Sequence, residues 1–274
     1  MSEHPAFPDP GAVLGRYAVG RRLGDGPDSD VFEAMDEQEQ RLVALTVFSE
    51  DLDGAREQRV RELVTAWTAI NSSHLLPVHE VGEEEGRLWV SAQLAPEGGI
   101  DRLREQYGPP APATAVALVA DLAAGLADLH EAGLVHGSVD TEHVLLHQEG
   151  EVVRAWLAPP LVSPPDPGAL PADDVRALGD LLATLVEGAH EPGARGAELD
   201  RVLASVGSYP SAAAFRDDLV RAGEAPRGQI VVEPSPSRPY APMPGGPSRL
   251  SMVLLFLVVL VAAIAALIGI DAAL

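Results

Sequence analysis

The sequence predicts an α+β fold, a β-rich part followed by a helical part, with a membrane-spanning segment near the C-terminal end. Three observations carry this expectation. Short strand-like runs occupy Tyr17–Leu23, Leu42–Val47, Leu75–Val81 and Leu88–Leu94, bounded by Gly-rich or acidic turns. Apolar residues then recur at helical spacing in Thr114–Ala132 and Pro171–Glu187, after one earlier helical stretch, Gly54–Ile70, placing each stripe on a single face. Finally, Leu250–Ile270 contains no charge at all.

Composition narrows the class. A chain of 274 residues with 46% hydrophobic content has room for one two-lobed domain and a short appendage. There is no Cys, which excludes disulfides and thiolate metal sites. All 19 basic residues are Arg and none is Lys, in a chain rich in Gly and Pro. The formal charge of −22 argues against a nucleic-acid partner and against the soluble part lying flat on anionic lipid. The first residues lack both a basic segment and an apolar core, so no signal peptide is expected.

Residues 1–13 are Pro-rich and polar and read as a disordered lead-in. The strand-like run from Tyr17 enters Gly24-Asp-Gly26-Pro-Asp-Ser29-Asp-Val31, a glycine-rich turn carrying Asp25, Asp28 and Asp30. Phe32-Glu-Ala34-Met-Asp36 and Leu42-Val-Ala44-Leu-Thr46-Val47 follow. In Gly54–Ile70 the apolar side is Val60, Leu63, Val64, Trp67 and Ile70. Leu75–Val81 and Leu88–Leu94 flank Gly82-Glu-Glu-Glu-Gly86 and read as a hairpin. Thr114 is placed to cap the helix that carries Val116, Val119, Leu122, Leu126 and Leu129, and Gly133 is placed to end it. Next comes Val135-His136-Gly137-Ser138-Val139-Asp140-Thr141-Glu142-His143-Val144, then Val152–Pro159 and a short Pro-rich connection to Pro171. His136, Asp140, Glu142 and His143 match no standard metal-ligand spacing, so no metal is expected there. Two shorter helices are expected over Leu199–Val206 and Pro210–Leu219. Residues 223–249 form a Pro/Gly/Ser linker.

Together these runs resemble the Hanks-type (eukaryotic-like) Ser/Thr protein kinases that bacteria carry, over about Tyr17–Ala222. No single motif is intact, but six occur in family order. The resemblance implies a two-lobed protein-kinase-like domain over residues 14–222, with an N-lobe of about 14–95 and a helical C-lobe of about 96–222. Gly24, Gly26 and Val31 match the family's G-x-G-x-x-G-x-V loop, with Ser29 at the third Gly, and Ala44 matches V-A-I-K. These four positions are the implied, vestigial nucleotide pocket. Ser91 falls at the gatekeeper and Ala92–Ala95 at the hinge.

The chemistry of the family is missing from its places. Thr46 replaces the phosphate-binding Lys, and no other Lys exists to substitute. His136 keeps the His of H-R-D, but Ser138 replaces its Asp, Asp140 the following Lys, and His143 the Asn. Leu157 stands where D-F-G carries its magnesium carboxylate, and there is no A-P-E motif and no Arg partner for it. Phosphoryl transfer consists mostly of positioning and charge stabilisation, so these replacements remove the base, the metal ligands and the phosphate cation together. Three Asp residues in the glycine-rich turn would repel a triphosphate, and Pro27 removes an N–H donor. Glu62 lies near the position of the family's helix Glu and reads as a solvated acid. Asp174 falls on the Asp that supports the catalytic loop from below in relatives.

The expected function is therefore a catalytically inactive pseudokinase, a binding, scaffold or regulatory module in signalling or envelope control, with no cofactor. Two alternatives stand beside it: a kinase-related enzyme that retains nucleotide binding or atypical group transfer, and a structural membrane subunit. At ~1.5 Å per residue, residues 250–270 reach about 30 Å, the thickness of a bilayer core. Arg249 before the span and Asp271 after it place the kinase-like domain in the cytoplasm and residues 271–274 outside, a tail-anchored arrangement. The expected partners are the bilayer, through 250–270, and a protein, with an active kinase or a phosphopeptide-binding protein as candidates.

Overall fold

The computed structural model describes residues 8, 11–26, 28–49, 52–162, 165, 168–187 and 194–223. The chain divides into units 1–231 and 232–274, and the second lies outside the described residues. So do the predicted span 250–270, the tail 271–274, and the linker 223–249 apart from its first residue.

A six-stranded antiparallel sheet in the order β1-β2-β3-β4-β6-β5 forms the first lobe. Its strands are β1 (Val13–Leu14), β2 (Tyr17–Asp25), β3 (Ser29–Asp36), β4 (Arg41–Phe48), β5 (Val78–Glu84) and β6 (Arg87–Gln93). Helix α1 (Gly54–Thr68) crosses between β4 and β5, capped by Asp53, whose carboxylate accepts from the N–H groups of Ala55 and Arg56. Because side chains alternate along each strand, register assigns the faces. Val31, Thr46 and Val90 are paired across three strands, as are Glu33, Ala44 and Ala92. These form one face, and α1 covers part of it through Val60 and Val64 against Phe48, Leu88 and Val90. The opposite face holds Tyr17, Val19, Phe32, Ala34, Val43, Leu45, Val47 and Trp89.

The second lobe is built on α3 (Pro112–Glu131), preceded by β7 (Gly98–Gly99) and α2 (Ile100–Tyr107). Strands β8 (Val144–Glu149) and β9 (Val152–Leu157) pack beside it with β7. The lobe closes with α4 (Pro171–Val186), α5 (Ala194–Ala204) and α6 (Ala212–Gly223). Helix α3 is long and apolar enough to cross a membrane, but it is the central helix of this lobe. Val116, Leu118, Val119, Leu122, Leu126 and Leu129 along it are all buried. Its end is a Schellman motif: Gly133 (φ 78°) donates to His130 and Leu134 donates to Leu129.

Several expectations are corrected. The fold begins ahead of residue 14: Val13 pairs with Ala18, and Gly11 donates to the Val19 carbonyl at 2.8 Å. Thr114 does not cap α3, which starts at Pro112 with Ala111 as its N-cap. Proline's fixed φ and missing N–H suit that first helical position. Leu75 and Leu76 leave the predicted hairpin, and Leu75 bridges Leu157. The element pair β7–α2 has no counterpart in the sequence reading. Ser91 faces away from the sheet face of Thr46, and its hydroxyl accepts from Tyr17 Oη at 3.0 Å. That side of the sheet belongs to the core, so Ser91 is no gatekeeper; Val90 and Ala92 share the face of Thr46.

Candidate functional site

The site is assembled from three pieces: the hairpin over Gly24–Val31, the loop over His136–His143, and the end of β9. In the hairpin, Gly24 pairs with Val31 and Asp25 with Asp30, so the strands run almost to the tip. The Gly26 N–H donates to the Ser29 carbonyl at 2.9 Å, committing one donor of the loop to the chain itself. Asp30 pairs with Arg22 and Asp28 with Arg56, each at 2.9 Å. This corrects the expected repulsion by three bare carboxylates, since two of them are matched by guanidinium groups. Pro27 lies outside the described residues. Val31, Ala44 and Thr46 share the sheet face that α1 partly covers, as their register requires.

The loop is held from below. Asp174, in the first turn of α4 and 1% exposed, accepts the backbone N–H of His136 at 2.8 Å and of Gly137 at 2.7 Å. Its second contact on Oδ2 is His130 Nε2 at 2.8 Å. A buried carboxylate so placed organises a whole turn of backbone, because each N–H bond to a charged acceptor contributes about 1.5–3 kcal/mol. His136 is itself buried, with Nε2 2.8 Å from the Ala158 carbonyl and Nδ1 accepting the Ser138 N–H at 3.2 Å. That pattern fits the neutral ring protonated on Nε2. Burial pushes its pKa down to about 4 against the hydrogen bond to Ala158. Trp67 of α1 lies edge-on to it at 6.1 Å, linking the helix of the first lobe to the loop of the second.

The replaced positions have found new partners. Asp140 caps the short 3₁₀ turn Thr141–His143, accepting from the N–H groups of Glu142 and His143. His143 Nδ1 lies 2.8 Å from Asp140 Oδ1. The Lys and Asn positions of the family therefore contact one another. Leu157 is fully buried, donating to His74 and accepting from Leu76, both at 2.9 Å. Gly137 adopts φ 74°, and a Cβ there would meet Pro165 Cβ at 2.6 Å. Pro165, from the connection after β9, thus rests on the loop beside Ser138. Glu62 is exposed and bonded to Gln58 at 2.8 Å, as a solvated acid would be. No group of three or more potential metal ligands occurs among the described residues.

Two contacts were missed at the sequence level: Arg56 bridging Asp28 and the Val162 carbonyl, and Tyr209 and Arg201 converging on Asp218 of α6. Neither has a local signal, since the partners are far apart in sequence or carry common residue types.

A sheet-bearing lobe with a glycine-rich hairpin and an adjoining helix, joined to a helical lobe whose loop is braced by a buried Asp, defines a protein-kinase-like fold. The family model described as protein kinase domain matches residues 17–156. The chain belongs to that family, among the bacterial Hanks-type Ser/Thr kinases. It is 35% identical over 143 residues to the serine/threonine-protein kinase PknD of Mycobacterium tuberculosis, covering 52% of this chain and 22% of that protein. It is also 35% identical over 138 residues to PknE of Mycobacterium bovis, covering 50% and 24%. The chain thus spans about a quarter of the length of these relatives. The crystal structure of a point mutant of the PknI kinase domain of Mycobacterium tuberculosis superposes with a TM-score of 0.66 at 22% identity. That match covers 79% of this chain and 99% of the other.

Proposed function

We propose that this protein is a catalytically silent kinase-like module, a binding, scaffold or regulatory unit in signalling or envelope control. It is held at the cytoplasmic face of the membrane by residues 250–270. The observation that carries the reading is the Asp140–His143 contact at 2.8 Å. The positions that serve phosphate and metal in the family are spent on one another. Ser138 offers no carboxylate base, Thr46 no cation, and the Leu157 site is a packed core position. The residues present do not fit Mg·ATP. Losing one transition-state charge contact commonly costs about 10²–10³ in rate, and here all are lost together. A protein partner, such as an active kinase or a phosphopeptide-binding protein, is the expected ligand.

The test is transfer of radiolabelled phosphate by the full-length protein, alongside a thermal shift with ATP and Mg²⁺. No transfer and no shift are expected, and a micromolar affinity for Mg·ATP would refute the reading. A second reading, an enzyme that still binds nucleotide, draws support from one observation. Arg22 and Arg56 offset Asp30 and Asp28, so the hairpin is less hostile to phosphate than its sequence implies. A shift without transfer would favour it.

A further inference from the structure

Helix α1 carries one guanidinium that touches two otherwise separate pieces of chain. Arg56 Nη1 pairs with Asp28 Oδ2 at 2.9 Å, in the tip of the β2–β3 hairpin. Its Nη2 donates to the Val162 carbonyl at 3.0 Å, five residues past the end of β9. Both neighbours are anchored in their own right. The Asp28 carbonyl accepts the Ser49 N–H at 2.9 Å, and Leu161 packs against the cluster of Phe48, Val60, Val64, Leu88 and Val90. A planar guanidinium holds two acceptors at a fixed separation, which a single ammonium on a flexible stem does not.

We propose that Arg56 is a latch: it pins the hairpin tip to α1 and to the chain after β9, so that the glycine-bearing end of the hairpin is held down by the protein's own groups. The residues concerned are partly buried, with side-chain exposures of 28% for Arg56 and 38% for Asp28, so the ion pair is shielded in part from solvent screening. The latch goes beyond the absence of phosphoryl transfer and is independent of it, since an active kinase could carry the same contact.

Hydrogen exchange read by mass spectrometry on the full-length chain, without nucleotide, tests it. In Arg56→Ala and in Asp28→Asn, peptides covering residues 22–31 should exchange roughly threefold to tenfold faster, while peptides from α3 stay unchanged. The double variant should be no faster than Arg56→Ala, because both changes remove one contact. Arg56→Lys should fall between, keeping charge but losing the fork. Asp28→Asn, nearly isosteric, decides the matter where Arg56→Ala disturbs the whole domain. Unchanged exchange over residues 22–31 in Asp28→Asn, or a rise there matched by α3, would overturn the latch.

Discussion

The carboxylate of Asp174 accepts the backbone N–H of His136 at 2.8 Å, across 38 positions of sequence. With the Gly137 N–H on its other oxygen, it braces the loop whose reacting groups have been replaced. The loop geometry is thus held by the backbone contacts of a buried carboxylate, whatever side chains stand at the replaced positions. Asp174→Ala leaves the buried His136 N–H, the part-buried Gly137 N–H and His130 without their acceptor. It should cost about 3–5 kcal/mol of stability, measured by urea denaturation of the domain.

Acid should weaken the fold through His136. Burial holds its pKa at about 4 in the native state, against ~6.5 in the unfolded chain. Between those values the unfolded chain binds a proton that the native state refuses. Stability should therefore be level above about pH 6.5 and fall by about 3 kcal/mol as pH drops towards 4. Asp121, pushed up by burial, acts in the opposite sense within the same window. The discriminating measurement is consequently the difference between wild type and His136→Gln in urea midpoint at pH 7.5, 5.5 and 4.5. Wild type should lose more.

Gly137 combines φ 74° with a prospective Cβ contact of 2.6 Å to Pro165. Gly137→Ala meets a backbone penalty of about 1–2 kcal/mol and a steric one of similar size. A fall in melting temperature is expected, whereas Gly24→Ala, with nothing within 4 Å of its Cβ, should change it little.

Restoring the family's residues should not restore the family's activity. Thr46→Lys, Ser138→Asp and His143→Asn lie on partly exposed positions, but Leu157→Asp puts a carboxylate at a fully buried one. That substitution should cost at least about 3 kcal/mol. The fourfold variant should therefore unfold at lower urea than the threefold one, and neither should transfer phosphate detectably.

Asp218 of α6 takes a hydrogen bond from Tyr209 at 2.5 Å and an ion pair from Arg201 at 3.0 Å. The Tyr209 bond, against burial and together with Arg201, holds its pKa below the usual carboxylate range. The stability from this group should thus be lost only as pH falls below about 3.8, outside the window of His136. Tyr209→Phe should cost about 1–2 kcal/mol, and in thermal melts its effect should shrink only at pH values below the ordinary carboxylate pKa of about 3.8.

What the sequence determined by itself is everything carried by residue type and short spacing. Most strand and helix runs, Gly133 at the helix end, Asp174 under the loop, and the identities of Thr46, Ser138, His143 and Leu157 were legible there, whereas the pair β7–α2 was not. Tertiary structure alone decided that Asp140 and His143 contact each other, that Leu157 bridges Leu75 and that Ser91 turns to the Tyr17 side. It also decided that Arg56 joins Asp28 to Val162. The division has a physical cause. A period or a cap is set by neighbours within one turn of chain, whereas an ion pair between residues 28 apart forms only after burial of the apolar faces has chosen which surfaces meet.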